Sequence, residues 1–183
     1  MNVNINSTEH FKITEAVAEA ASEDGFGYLN LSKDAKIFDV GAGTGILGKC
    51  LSEKGYSSIE GADASTNFIN YATNNGWYSA TEQRFFGLGV DKLPAEKLST
   101  FDCVVAAGVF LIGHIPSAGL EDCHALTKTG GHFVTAMRTK YWVTGEKEGY
   151  KDKFDELVAQ GKLEIVMTKK FMRGVEGAEA ASF

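Results

Sequence analysis

Residues 36–45, KIFDVGAGTG, form a short apolar run that ends in Asp39 and continues into three glycines at alternate positions, Gly41, Gly43 and Gly45. Glycine has no side chain and readily adopts positive φ, so such a turn lets the backbone lie directly against a ligand. A carboxylate two residues before the first glycine would repel an anionic phosphate and attract a positively charged group. The stretch therefore predicts a strand-to-helix turn that binds a cationic ligand.

Composition limits the class of protein. The chain has 183 residues, of which 44% are hydrophobic and 23% are charged, which is enough to bury one core of ordinary domain size. We therefore expect a single domain over residues 1–183. The formal charge of -6 and the lack of a Lys or Arg run predict that the protein binds neither nucleic acid nor an anionic membrane surface.

The apolar stretches and the cysteines of the chain indicate its cellular location. No stretch approaches the ~20 apolar residues that span a bilayer, and residues 2–11 form a polar segment with no apolar core. The three cysteines, Cys50, Cys103 and Cys123, are an odd number without CxxC spacing, which predicts buried thiols in a reducing compartment. We expect a cytoplasmic protein.

Apolar runs rich in Val, Ile and Phe alternate with segments of helical period, the pattern of a parallel sheet covered on both faces. The prediction is an α/β fold with a doubly wound, mostly parallel, Rossmann-like sheet. Predicted strands are residues 36–40, 58–63, 83–88, 101–107, 131–138 and 163–171. Predicted helices are residues 8–22, 46–54, 65–75, 118–128 and 147–160, with Ser65 as an N-cap.

The glycine turn admits three interpretations. Gly43, Gly45 and Gly48 match GxGxxG by letter, and Asp63 follows about twenty residues later, as in a dinucleotide site. Against this, Asp39 would repel a pyrophosphate and would suit a ligand with an amino group and a sulfonium. A tight turn with no ligand is the third interpretation, although such a turn rarely needs three alternating glycines.

Four segments, in order, resemble the motifs of the class I S-adenosylmethionine-dependent methyltransferases. They are KIFDVGAGTG, IEGADAS at 59–65, FDCVVAAGVF at 101–110 and GGHFVTAMR at 130–138. A nearer likeness, to the group around the methyltransferase-like protein of the Williams-Beuren syndrome region, rests on LGVDKLP at 88–94, the FDCVV strand and the Arg138-Thr139 pair. The resemblance implies the class I methyltransferase fold, S-adenosyl-L-methionine as cofactor, S-adenosyl-L-homocysteine as product, and methyl transfer by direct displacement.

The same resemblance assigns most of a cofactor pocket. It implies that Asp63 accepts hydrogen bonds from both ribose hydroxyls, that Ala64 and Phe68 flank the adenine, and that Asp39 favours the ammonium group. Many members place an acidic residue against the adenine amino group; residues 88–90 have no carboxylate in register, so backbone groups must serve. The cofactor-binding residues that the resemblance implies are Asp39, Gly41, Ala42, Gly43, Gly45, Asp63, Ala64, Phe68, Leu88, Gly89, Val90, Ala106, Ala107 and Gly108.

The acceptor side is less defined, and its residues are candidates only. His114, in the loop after the fourth predicted strand, is a weak candidate for a catalytic base, because only a hydroxyl or protonated-amine acceptor needs one. Candidate substrate-binding residues are Phe110, His114, Arg138, Tyr141 and Trp142. We expect a small-molecule acceptor, with a protein acceptor as a further option, and no metal, since no His pairs with Cys or Asp at ligand spacing.

Two other classes of protein are compatible with the same sequence. The chain could be a non-catalytic cofactor-binding or interaction protein with the same fold, or an NAD-dependent dehydrogenase.

The two termini depart from the family pattern. We expect the cofactor lid in residues 1–11 to be short or missing. We also expect the seventh strand to be short or missing, with an edge that another subunit could cover. The sequence leaves the methylated atom and the oligomeric state open.

Overall fold

The computed structural model describes residues 29–172 and 179–182. The predicted helix at 8–22 and the segment before it lie outside these residues. The strands are β1 Ile37–Val40, β2 Ile59–Asp63, β3 Ala80–Gln83, β4 Phe101–Ala107, β5 Thr127–Arg138, β6 Lys169–Met172 and β7 Glu179–Ser182. The helices are α1 Ile46–Glu53, α2 Thr66–Asn75, α3 Gly119–Leu126 and α4 Tyr150–Ala159, with short 3-10 turns at Val90–Lys92, Ala95–Lys97 and Thr139–Tyr141.

The strands form one sheet in the order β3-β2-β1-β4-β5-β7-β6. The first five strands pair in parallel, and β7 runs antiparallel between β5 and β6. This confirms the predicted doubly wound, mostly parallel sheet, and the seventh strand is present with four residues. Because β2 lies on one side of β1 and β4 on the other, the chain order reverses at β1, and ligands of such sheets bind at the carboxyl ends of the strands beside that point.

Three predicted strand boundaries are wrong. Of the run at 83–88 only Gln83 is in a strand: β3 lies upstream at Ala80–Gln83, and the chain turns at Gly87 and Gly89, both with positive φ. The residues of β3 are polar or small because, among the described strands, β3 lies at the edge of the sheet and pairs with β2 alone. β5 begins at Thr127, four residues before the prediction, and β6 begins only at Lys169.

Side chains of β1 alternate between two apolar clusters, one on each face of the sheet. Phe38 and Val40 belong to the cluster covered by α3 and α4, whereas Ile37 packs with Leu47 and Leu51 of α1. Asp39 follows Ile37 by two residues and so faces α1. A carboxylate is therefore placed on an apolar face, where it is 1% exposed.

The helix and cysteine predictions largely hold. Ser65 is the N-cap of α2, and its Oγ accepts a hydrogen bond from Phe68 N at 3.4 Å. None of the cysteines forms a disulfide. Cys103 and Cys123 are buried, and burial raises the pKa of both thiols, so they stay protonated. Cys50 is only half-buried, contrary to the prediction.

Candidate cofactor-binding site

The glycine turn lies at the carboxyl end of β1 and is fastened to β2. Gly41, Gly43 and Gly45 have φ values of 74°, 55° and 87°, in the region that L side chains rarely adopt. Gly41 N and Ala42 N both donate to Ala62 O, at 2.8 and 2.9 Å. A Cβ on Gly41 would lie 2.4 Å from Val109 Cγ1, whereas one on Gly43 would have no neighbour nearer than 4.0 Å. The turn is therefore closely packed at Gly41 and open at Gly43.

Asp63 ends β2 beside this open position. Its Oδ2 accepts a hydrogen bond from Gly43 N at 2.9 Å and its Oδ1 accepts one from Ser65 N at 2.8 Å. Each carboxylate oxygen has two lone pairs, so each retains one acceptor position. Asp63 thus fixes the turn and can still bind two hydroxyl groups of a ligand, as its predicted ribose contact requires.

Tyr78, which the sequence analysis did not select, lies behind the turn. Its hydroxyl donates to Asp39 Oδ2 at 2.7 Å and accepts a hydrogen bond from Gly48 N at 3.2 Å. The ring fills space that glycines leave: a Cβ on Gly48 would lie 2.3 Å from Tyr78 Cζ, and one on Gly61 would lie 2.8 Å from Cε1. No sequence motif marks this tyrosine, since its partners lie 39 and 30 residues away.

The setting of Asp39 changes its charge. The pKa of Asp39 is raised to about 7: burial is the largest cause, the hydrogen bond from Tyr78 acts in the opposite direction, and the nearby charge of Asp63 raises the pKa further. Burial also raises the pKa of Tyr78 well above its usual value, with a further contribution from Asp39. Tyr78 therefore stays protonated and able to donate, while Asp39 is close to balance between its neutral and ionised forms at neutral pH.

We expect Gly48→Ala to destabilise the protein by about 1–3 kcal/mol, although alanine is ordinarily favoured by up to ~1 kcal/mol inside a helix. The added methyl would overlap the Tyr78 ring. Chemical denaturation measures the change, and a Gly48→Ala/Tyr78→Leu double variant should be less destabilised than the sum of the two single variants, because the shorter side chain frees the space for the methyl group. A fully stable Gly48→Ala would contradict the close packing of Gly48 on Tyr78.

The loop proposed for the adenine is held by α3. Gly87 N donates to Asp122 Oδ2 at 2.6 Å, and a Cβ on Gly87 would lie 2.4 Å from Pro116 Cγ. Asp122 is 1% exposed, and within the described part of the chain its Oδ1 has no hydrogen-bond partner. Burial raises the pKa of this carboxyl. Asp122 is a second residue that sequence reasoning missed, because helix α3 carries no ligand motif.

The other cofactor candidates are grouped around the same edge of the sheet. Leu88 is exposed and Gly89 has a φ of 112°. Ala64 is exposed and Phe68 half-buried, at the start of α2. At the end of β4, exposure increases from Ala106, which is buried, through Ala107 to Gly108. Small residues thus line the exit of β4, and Val90 begins the 3-10 turn after the loop.

The five acceptor-side candidates differ in exposure, and the rings of two of them, Phe110 and Tyr141, both pack against Tyr150. Phe110 is 1% exposed and Tyr141 is 3% exposed. Phe110 packs against Tyr150, and Trp142 packs against Phe154 with ring centroids 5.0 Å apart. Only His114 and Arg138 are exposed. A substrate role for these five residues therefore stays a prediction.

Metal-ligand clusters and membrane-spanning helices were sought in the part of the chain that the structure describes. In residues 29–172 and 179–182, no group of three or more His, Cys, Asp or Glu side chains is arranged to hold a metal ion. Within the same ranges, no helix is both long enough and apolar enough to cross a membrane.

The open face of Gly43 and the spare lone pairs of Asp63 suit a ligand with a ribose and a charged amino-acid portion. Together with the strand order, they fit a class I S-adenosylmethionine-dependent methyltransferase domain. Residues 37–131, more than half of the chain, match the family model described as a methyltransferase domain, and the chain belongs to this family. S-adenosyl-L-methionine is the methyl donor of this class.

Several relatives support this assignment. Methyltransferase-like protein 27 of Homo sapiens is 30% identical over 127 residues, which cover 69% of this chain and 50% of the human protein. A ubiquinone biosynthesis O-methyltransferase of Vibrio parahaemolyticus is 27% identical over 53% of this chain and 41% of its own. The chain thus spans half or less of the length of these two relatives. A TehB-like methyltransferase structure from Corynebacterium glutamicum has the same fold, with a TM-score of 0.58 and 21% identity over 91% of this chain and 84% of its own.

Proposed function

We propose that this chain transfers a methyl group from S-adenosyl-L-methionine to a small-molecule acceptor. The observation that carries the proposal is the pairing of an open glycine turn with Asp63, whose oxygens retain free lone pairs, at the edge where the sheet order reverses. The single-domain organisation and the cytoplasmic location predicted from the sequence are part of the same proposal.

The residues of the chain would act mainly by orientation. Bound in the turn, the cofactor supplies a methyl group on a positively charged sulfur. Asp63 would hold the ribose, the backbone from Gly41 to Gly43 would lie along the methionine portion, and the small residues Ala107 and Gly108 leave room beside the sulfur. Correct alignment of two reactants can account for ~7–11 kcal/mol of the barrier, so this arrangement needs no fixed acid or base for an acceptor that is already nucleophilic.

A hydroxyl is the acceptor group that we favour. The ubiquinone biosynthesis O-methyltransferases among the relatives methylate oxygen, as their name states. A hydroxyl acceptor needs a base, and the exposed His114, in the loop after β4, is the residue that we propose for this role. The net charge of -6 gives no attraction for a polyanionic acceptor, and a polypeptide acceptor remains the alternative.

Calorimetric titration separates the classes of function. We expect S-adenosyl-L-homocysteine to bind and NAD to give no heat; binding of NAD alone would identify a dehydrogenase and overturn the proposal. Turnover is then measured with methyl-labelled cofactor and a panel of phenols, other hydroxyl compounds, amines and proteins. A protein that binds the cofactor but labels no acceptor would be a binding protein with the same fold. Labelling of proteins alone would replace the small-molecule acceptor.

A further inference from the structure

Asp39 is a carboxylate surrounded by apolar strands. In the sheet it lies opposite Gly61 of β2 and Val105 of β4. It is 1% exposed, which disfavours the ionised form of a carboxyl group. The titratable groups that act on it are Tyr78, from the segment between α2 and β3, and Asp63, at the end of β2. Its charge therefore depends on one hydrogen bond and one repulsive neighbour.

Tyr78 is built into the back of the turn. Cβ atoms added to Gly45, Gly48 and Gly61 would lie 3.1, 2.3 and 2.8 Å from atoms of its ring. The last two distances are too short for a side chain, so the ring fits only because residues 48 and 61 are glycines. Each glycine comes from a different place: the turn itself, the first turn of α1, and β2. The ring is thus enclosed by the elements that shape the proposed cofactor site.

The Tyr78 hydroxyl also replaces a missing helix cap. The first N–H groups of a helix have no partner within it, and Gly45, the N-cap of α1, has no side chain to supply one. Gly48 N, in that first turn, donates instead to Tyr78 Oη at 3.2 Å. By donating in turn to Asp39 Oδ2 at 2.7 Å, the hydroxyl links the start of α1 to the end of β1. The glycine turn lies between these two points.

We propose that Tyr78 is a positioning residue that favours the ionised form of Asp39 and thereby links binding of the cofactor to pH. The inference rests on the proposed cofactor site. A hydrogen bond donated to a carboxylate favours its charged state, and a negative Asp39 favours the ammonium group of the ligand in the adjacent turn. Protonation of Asp39 removes that attraction, so the affinity for the cofactor increases as the pH rises through neutrality.

The test is calorimetric binding of S-adenosyl-L-homocysteine between pH 6 and pH 8.5 to wild type and Tyr78→Phe. For wild type we expect the affinity to rise with pH and to level off. In Tyr78→Phe the whole curve should move upward in pH by about one unit, so that binding is about tenfold weaker at pH 6 and nearly equal to wild type at pH 8.5. A tyrosine that only supports the fold would lower the affinity by the same factor at every pH.

Two further variants make the result specific. Tyr71→Phe, on the exposed side of α2, removes a hydroxyl outside the site and should match wild type. In an Asp39→Asn background the affinity should vary little with pH, and Tyr78→Phe should produce no further shift, because the group that titrates is gone. A wild-type curve that is flat with pH would overturn the inference even if Tyr78→Phe does not fold.

The two proposals fail differently. Wild type that binds no S-adenosyl-L-homocysteine at any pH would contradict the cofactor site itself. Wild type that binds with a pH dependence that Tyr78→Phe leaves unchanged would overturn only the role of Tyr78. Thermal melting of each variant without ligand, at each pH, shows whether a loss of binding reflects a loss of folded protein.

Discussion

Asp63→Ala is expected to weaken binding of S-adenosyl-L-homocysteine by at least tenfold, which corresponds to about 1.4 kcal/mol. The variant loses the two acceptor oxygens available to the ribose, and charge-assisted hydrogen bonds of that kind are stronger than neutral ones. It also releases Gly43 N and Ser65 N, which Asp63 holds at 2.9 and 2.8 Å. Isothermal calorimetry on the purified protein measures the dissociation constant.

Asp63→Asn distinguishes these two contributions. Asparagine keeps one acceptor oxygen of the same shape, so it can hold one of the two backbone N–H groups but not offer a charged, bidentate contact to a ribose. We expect its affinity to lie between those of wild type and Asp63→Ala. Asp155→Ala, on the exposed side of α4, serves as the carboxylate control and should bind normally. An unchanged dissociation constant in Asp63→Ala would remove Asp63 from the site.

The buried parallel strands were predictable because their sequence and their burial agree. β1, β2 and β4 are mostly buried strands in which apolar residues and glycine outnumber the acidic ones, and each begins within one residue of its predicted start. The edge strand β3 was not predictable, because a strand that is paired on one side needs no apolar run. The two aromatic residues at 85 and 86 look like part of a buried strand and led to the wrong prediction. In the structure these two residues are not in a strand, because the chain turns at Gly87 and Gly89, which both have positive φ.

In the candidate site, the sequence predicted the glycine turn and Asp63 but not the side chains that support them. Glycines at alternate positions after a strand have few explanations, and Asp63 follows at a fixed spacing along adjacent parallel strands. Gly48 matched the third glycine of a dinucleotide fingerprint, but in the structure it makes room for Tyr78. Aromatic residues after a strand, such as Phe110 and Tyr141, look alike in sequence whether they pack in the core or face a ligand; here both are buried.

Asp39→Asn is expected to stabilise the protein without ligand at pH 8, by as much as about 4 kcal/mol. The pKa of Asp39 is raised from its ordinary value of 3.8 to about 7 in the folded protein. Between these values the folded protein holds a proton that the unfolded chain has released, so this carboxyl lowers the free energy of unfolding as the pH rises from about 4 to 7. Asparagine does not ionise, so it removes this loss of stability, and its side-chain oxygen can still accept the hydrogen bond from Tyr78.

Urea denaturation of wild type and Asp39→Asn at pH 5, 6, 7 and 8 measures the difference. The gain in stability of the variant should grow with pH and level off above neutrality, whereas Glu53→Gln, an exposed carboxylate at the end of α1, should stay within about 0.5 kcal/mol of wild type throughout. A variant less stable than wild type at pH 8 would mean that the fold favours the charged carboxylate. If the gain is found together with weaker cofactor binding, Asp39 is a residue at which the protein gives up stability for function.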